Sequence, residues 1–287
     1  MQRQALTVLL LAASSSALLN GTVSNGELAL STGVRVPINN TFSSLGAALF
    51  QYYAPLPPPT SPMPSFVNST LLSYLELRGG AWLADAPLAL LAGVVLVLRG
   101  TSASPAAGFP PTRAMIEVNY SAWSGVVSPG GDAFFSCPDP LVSPGVVWAV
   151  GSPRVVVDGL RVFGCGHGHG AALHVQGTPG AWGPTHEGAT IANNNITNSS
   201  RAVWLETVRG VSVHRNAITA CSSHALDFDA LCVFARHAAQ HIARAYRCAH
   251  KHTRALTSAR ITKTQHLLLG GHKQHDLAQR GAGGRVY

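Results

Sequence analysis

Three short stretches alternate polar or aromatic residues with apolar ones: His174-Val175-Gln176, Trp204-Leu205-Glu206 and Asp227-Phe228-Asp229. Successive side chains of a strand point to opposite faces, so the apolar member of each stretch faces inward and its two neighbours outward. Laid side by side, the outward residues form two columns, His174, Trp204 and Asp227 in one and Gln176, Glu206 and Asp229 in the next. An exposed indole offers a flat apolar face to a sugar ring, and carboxylates supply acceptors for hydroxyls or a site for Ca²⁺. Crowding Glu206, Asp227 and Asp229 together favours the protonated form of one of them, the condition for general-acid work. Asp227 and Asp229 on one strand would lie ~6.7 Å apart, near the range of about 6.5 to 9.5 Å that inverting glycoside cleavage uses. The plainer alternative is that these residues only solvate an outer surface.

Two further histidine groups bear on the same face. His167-Gly168-His169-Gly170 lies just before His174, and His186 sits in an inserted stretch, Gly177 to Glu187. His174 and His186 facing one groove would make a base or a metal pair. A glycine-rich turn with exposed histidines explains the spacing more simply, so these histidines are not assigned to a metal. The five cysteines, at 137, 165, 221, 232 and 248, are odd in number and include no Cys-x-x-Cys, which specifies neither a zinc site nor a disulfide framework. No lysine precedes Lys251 to serve as a base.

The elements that would hold these residues emerge from an internal repeat. Val155-x-Val157 matches Ala189-x-Ile191 and Val211-x-Val213; five residues after each pair comes a buried aliphatic, Val162, Ile196 or Ile218, and then the alternating stretch. Ile196 to Ile218 spans 22 residues, and Val162 to Ile196 spans 34 because of the insertion. Each copy supplies three short strands and three turns, the period of a coil whose strands pair with those one turn away at ~4.8 Å. Earlier apolar runs, Val94 to Leu98, Met115 to Val118 and Val146 to Val150, read as strands of the same kind. Cys165, Ser199 and Cys221 occupy equivalent positions, but Cys165 and Cys221 are two coils, ~9.6 Å, apart and so beyond the ~7 Å reach of a disulfide.

The repeat, with Asn194 and Asn216 each two residues before the aliphatic, resembles that of the pectin lyase-like superfamily, whose copies read x-Val-x-Ile-x-x-Asn-x-Ile. The resemblance is close over about Arg154 to Ala230 and looser back to Gly79, where Gly79-Gly80-Ala81-Trp82-Leu83 looks like an opening coil; the first copy has Leu160 in the asparagine position. It implies an all-β fold, a right-handed parallel β-helix, whose third strand carries the catalytic and binding residues of polysaccharide lyases, hydrolases and epimerases. It supplies no matched catalytic motif.

The flanks differ in kind. Met1 to Ala17 combines an early Arg3, an apolar run from Ala5 to Ala13 and a small-residue Ser-Ser-Ala end, which reads as a signal peptide. That run is too short to span a bilayer. Asn-x-Ser/Thr sequons at Asn20, Asn39, Asn68, Asn119, Asn195 and Asn198 suit glycosylation on a secretory route. Residues 18–78, divided by a Pro-rich patch, form an expected leader or cap, and 79–230 the β-helix. Residues 1–230 hold 10 Arg, no Lys and 11 Asp or Glu, whereas 231–287 hold 10 Lys or Arg and only Asp276, with seven of the thirteen histidines. This basic tail is expected to be poorly ordered, or partly helical over Cys232 to Ala255; its abrupt composition points to a frame-shifted, non-native end.

Together these features predict a secreted, monomeric carbohydrate-active or carbohydrate-binding protein acting on an extracellular polysaccharide, with no membrane span and no nucleic-acid partner. Asp227, Asp229, Glu206 and His174 are its candidate catalytic residues, Trp204, Gln176 and His186 its substrate contacts, and Ca²⁺ its candidate cofactor. A non-catalytic surface or adhesion glycoprotein on the same scaffold is the competing expectation.

Overall fold

The computed structural model describes residues 19–53, 72–139, 142–177, 186–229 and 236–238, all within the unit Met1–Ala245. These residues form short strands and one helix. The described residues begin with β1 (Gly21–Ser24), β2 (Glu27–Leu30) and β3 (Arg35–Pro37), then α1 (Phe42–Tyr53). Strands then come in threes: β4 (Ser73–Arg78), β5 (Ala81–Ala84) and β6 (Leu88–Ala89); β7 (Val94–Arg99), β8 (Ser102–Pro105) and β9 (Ala114–Asn119). The next are β10 (Gly125–Val127), β11 (Phe134–Ser136) and β12 (Gly145–Val150), followed by β13 (Val156–Asp158), β14 (Arg161–Phe163) and β15 (Leu173–Gln176). After β16 (His186–Glu187) come β17 (Thr190–Ala192), β18 (Asn195–Thr197) and β19 (Arg201–Glu206). Past β20 (Val208–Arg209) lie β21 (Ser212–His214), β22 (Ala217–Thr219) and β23 (His224–Asp229), and last β24 (Arg236–Ala238).

From β4 on, the first, second and third strands of each triplet pair in parallel with their equivalents, producing three sheets that do not close into a barrel. Inward residues therefore stack by type. Leu75, Leu96, Val126, Val157, Ile191 and Val213 are in register in the first sheet, and Ile116, Val147, Leu173 and Val203 in the third. All are buried in one apolar cluster. Stacked β-branched and leucine side chains bury both their own area and that of the neighbour above, so every added triplet extends the core rather than exposing it.

Polar turns stack as well. Asn194 and Asn216, each about 1% exposed, form a ladder across adjacent triplets. Asn216 Oδ1 accepts from Asn194 N and Asn194 Nδ2, both at 2.9 Å, and Asn194 Oδ1 accepts from Leu160 N at 2.9 Å. Leu160, having no amide side chain, ends the ladder by offering only its backbone N–H. At the corner after the second sheet, Cys137 and Cys165 form a disulfide with Cα atoms 5.1 Å apart. The pair that composition leaves unspecified is thus the one a single triplet apart, where strand spacing suits the bond.

Both ends differ from expectation. Parallel stacking begins upstream of Gly79, because β4 pairs along its length with β7 and β1 pairs with β4. Helix α1 packs Phe42, Leu45 and Leu49 inward, with Thr41 Oγ1 accepting from Ser44 N at its start. At the other end, Arg236–Ala238, helical by sequence periodicity, is instead a strand paired with Ser212–His214. The open edge of β21 offers unpaired backbone groups, and satisfying them outweighs the local helical periodicity. Met1–Ala17, Asn68 and the rest of the basic tail lie outside the described residues. Among the described residues no helix is long and apolar enough to cross a membrane. Asn39, Asn119 and Asn195 are exposed and Asn198 half-buried.

Candidate functional site

The third sheet brings the two columns together in the expected register. His174 pairs with Trp204 and Trp204 with Asp227; Gln176 pairs with Glu206 and Glu206 with Asp229. The first column also extends upstream, through Trp148 to Glu117. Sequence reasoning missed those two residues, although the alternations Val147-Trp148-Ala149 and Ile116-Glu117-Val118 carry the same signal.

Register does not make the column open. Rings one strand apart stack on one another: His174 lies 4.0 Å from Trp204 at 7° between planes and 5.9 Å from Trp148 at 8°. His174, expected at the surface, is only 3% exposed. The Arg201 guanidinium lies 4.8 Å over the Trp204 ring, so the indole's flat area is engaged by protein rather than offered whole to a sugar. Arg201 Nε also meets Asp227 Oδ2 at 2.7 Å, setting a cation among the carboxylates expected to repel one another. Glu117, buried, is held by Arg113 through two contacts of 2.6 Å.

Hydrogen-bond direction fixes the state of the two imidazoles, buried His174 and half-buried His169. The carbonyl of Thr112 can only accept, so His169 Nδ1, 2.9 Å away, carries the hydrogen and neutral His169 leaves Nε2 bare. That Nε2 lies 3.3 Å from His174 Nδ1, which must then be the donor. His174 Nε2 is consequently an acceptor without a donor, 3.5 Å from Glu206 Oε2. Burial lowers the His174 pKa to about 3, with His169 and Arg201 acting in the same direction, and burial also lowers that of His169. His174 is therefore neutral at physiological pH and holds its ring as a stacked spacer.

This has a measurable pH signature. The unfolded chain takes up the His174 proton near the ordinary histidine value of 6.5 and the folded chain only near 3. Stability is thus complete above the higher value and lost as pH falls toward the lower one. Urea unfolding should show a loss of about 2 kcal/mol between pH 7 and pH 5 from this residue. His174→Phe, which keeps a stacked ring, should remove that part of the slope; identical slopes in the two proteins would contradict the buried neutral state.

Of the remaining expected residues, Gln176 and the Glu206 and Asp227 side chains are partly exposed. His186 lies on β16, paired with Val208 in a separate two-stranded sheet, and His167 Nε2 contacts the Asn198 carbonyl at 3.1 Å. Among the described residues no three His, Cys, Asp or Glu side chains converge as a metal site would need.

No family model and no curated protein matches the chain. Among solved structures it is similar to a protein from Parabacteroides merdae described provisionally as a glycosyl hydrolase, with a TM-score of 0.42 and 11% identity over 58% of this chain and 83% of that one.

Proposed function

We propose that this chain is an exported, right-handed parallel β-helix of the pectin lyase-like kind that engages an extracellular polysaccharide along the outward face of its third sheet. The observation that carries the proposal is the placement of Glu206 and Asp227, carboxylates partly exposed on neighbouring strands, next to Trp204, which shares a strand with Glu206 and pairs with Asp227. Carboxylate acceptors on neighbouring strands and two residues apart along them lie about 7 to 8 Å from each other, a spacing at which both can accept from hydroxyl groups presented along an extended chain. Strand triplets pairing in one order support the β-helix, and crossovers between parallel strands are right-handed in nearly all proteins. The buried Cys137–Cys165 disulfide suits an oxidising compartment and so supports export.

A binding role without catalysis is favoured over cleavage by one observation: His174 is buried and neutral while Asp227 is tied to Arg201. Incubating the protein with acidic and neutral polysaccharides, with and without Ca²⁺, distinguishes the roles. The expected result is retention on at least one polysaccharide. Ultraviolet-absorbing unsaturated products would instead identify a lyase, and new reducing ends a hydrolase. Absence of both retention and products across the panel would overturn the proposal.

A further inference from the structure

The second sheet has an outward face of its own, separate from the one proposed to meet a polysaccharide. Strands β11, β14, β18 and β22 are in register there, so Phe134, Arg161, Asn195 and Ala217 form one outward column and Ser136, Phe163, Thr197 and Thr219 the next. Between the columns Phe135, Val162, Ile196 and Ile218 point inward and are buried. Phe134 and Phe163 stand diagonally on neighbouring strands, 40% and 47% exposed. Two rings left in water on a face otherwise made largely of small and hydroxyl side chains are surface that an apolar partner would stabilise.

A sequon lies on the same face. In Asn195-Ile196-Thr197 the strand alternation sends Ile196 into the core and leaves Asn195 exposed and Thr197 half-buried on the outer side. Among the described residues no hydrogen bond engages the Asn195 side-chain amide. The other sequons of this region are less open: Asn119 Nδ2 donates to Glu117 Oε2 at 3.4 Å, and Asn198 is half-buried at φ 56°. Strand spacing and rise put Asn195 about 8 Å from Phe163, diagonally on the next strand, and about 10 Å from Phe134, two strands away in its own column. Both rings are within the length of two sugar residues attached at Asn195.

We infer that Phe163 and Phe134 are the seat of the chain's own N-linked glycan, whose first two N-acetylglucosamine rings run from Asn195 across the second sheet. The inference rests on the export proposed above, since sequons are modified on the secretory route. In the transfer the Asn195 amide nitrogen bonds to C1 of the first sugar, the bond from C1 to a lipid diphosphate breaks, and the amide gives one proton to the departing diphosphate. The C–H face of each sugar ring then meets the electron-rich face of a phenyl ring. A glycan held there covers the second sheet and leaves the third sheet open.

Mass spectrometry of the full chain expressed in eukaryotic cells reads occupancy at each sequon, with Asn39 and Asn119 reporting the secretory route independently of Asn195. The expected result is an occupied Asn195 whose N-acetyl methyl resonance, assigned by its loss in Asn195→Gln, is moved upfield by the phenyl ring current. Phe163→Ser, at an exposed position, should return that resonance to its ordinary place with the glycan still attached. Asn195→Gln should lower the thermal midpoint by about 2 to 4 °C in the native background and leave it unmoved in the Phe163→Ser background. Bare Asn195 on molecules glycosylated at Asn39 or Asn119 overturns the inference and leaves export standing; bare asparagines throughout overturn both. An occupied Asn195 with its methyl resonance in the ordinary place, or an equal midpoint loss in both backgrounds, overturns the seat on Phe163. Bare Asn195 in a dimer that Phe163→Ser dissociates would assign the rings to a second copy of the chain instead.

Discussion

Replacing Asn194 with alanine is expected to lower the stability of the protein by about 3 to 5 kcal/mol, because three buried polar groups lose partners at once. The Leu160 N–H loses its acceptor at 2.9 Å, the Val157 carbonyl its donor at 3.2 Å, and Asn216 Oδ1 one of its two donors. Water cannot replace them, since Asn194 and Asn216 are each 1% exposed between stacked aliphatics. Urea unfolding of Asn194→Ala against the native protein measures the loss. A change below about 1 kcal/mol, within the range of ordinary surface substitutions, would mean that the ladder is not formed in solution.

Removing the Cys137–Cys165 bridge should cost about 3.5 kcal/mol, the loop-closure entropy for a cross-link of this span. The half-cystines are 28 residues apart in sequence, and both are buried, so the bond ties one triplet to the next from inside the corner. Cys137→Ala with Cys165→Ala should lower the denaturation midpoint, and a reductant that lowers the native protein's midpoint should leave the double variant unmoved. Equal midpoints for both proteins under oxidising conditions would show that the thiols are unpaired.

Sequence periodicity reveals the register well where the copies are regular. Val157, Ile191 and Val213 pair as their spacing predicts, as do Val162, Ile196 and Ile218, and the same holds for His174, Trp204 and Asp227. Upstream, insertions of different length separate the strands, so β4 reads as part of a leader although Tyr74-Leu75-Glu76-Leu77 alternates as a strand should. Cys137 escapes for the same reason: it lies one triplet before the three copies that define the repeat.

Exposure within the candidate site is less legible than direction. Alternation says that His174 and Trp204 leave the core, but rings on adjacent strands are wide enough to cover each other's faces, and Arg201, three residues before Trp204, folds over what is left. Those contacts depend on ring size and rotamer, which period-two patterning does not encode.

The most direct test of a polysaccharide-engaging third sheet compares the native protein with the double variant Glu206→Gln, Asp227→Asn on the polysaccharide it retains. These changes keep side-chain shape, and the amide that Glu206→Gln introduces would supply the donor that His174 Nε2 lacks. The fold is therefore expected to survive, as circular dichroism and the urea midpoint would show. The predicted result is a loss of affinity of about 10- to 100-fold from two charged acceptors. Undiminished affinity in a folded double variant would contradict the account.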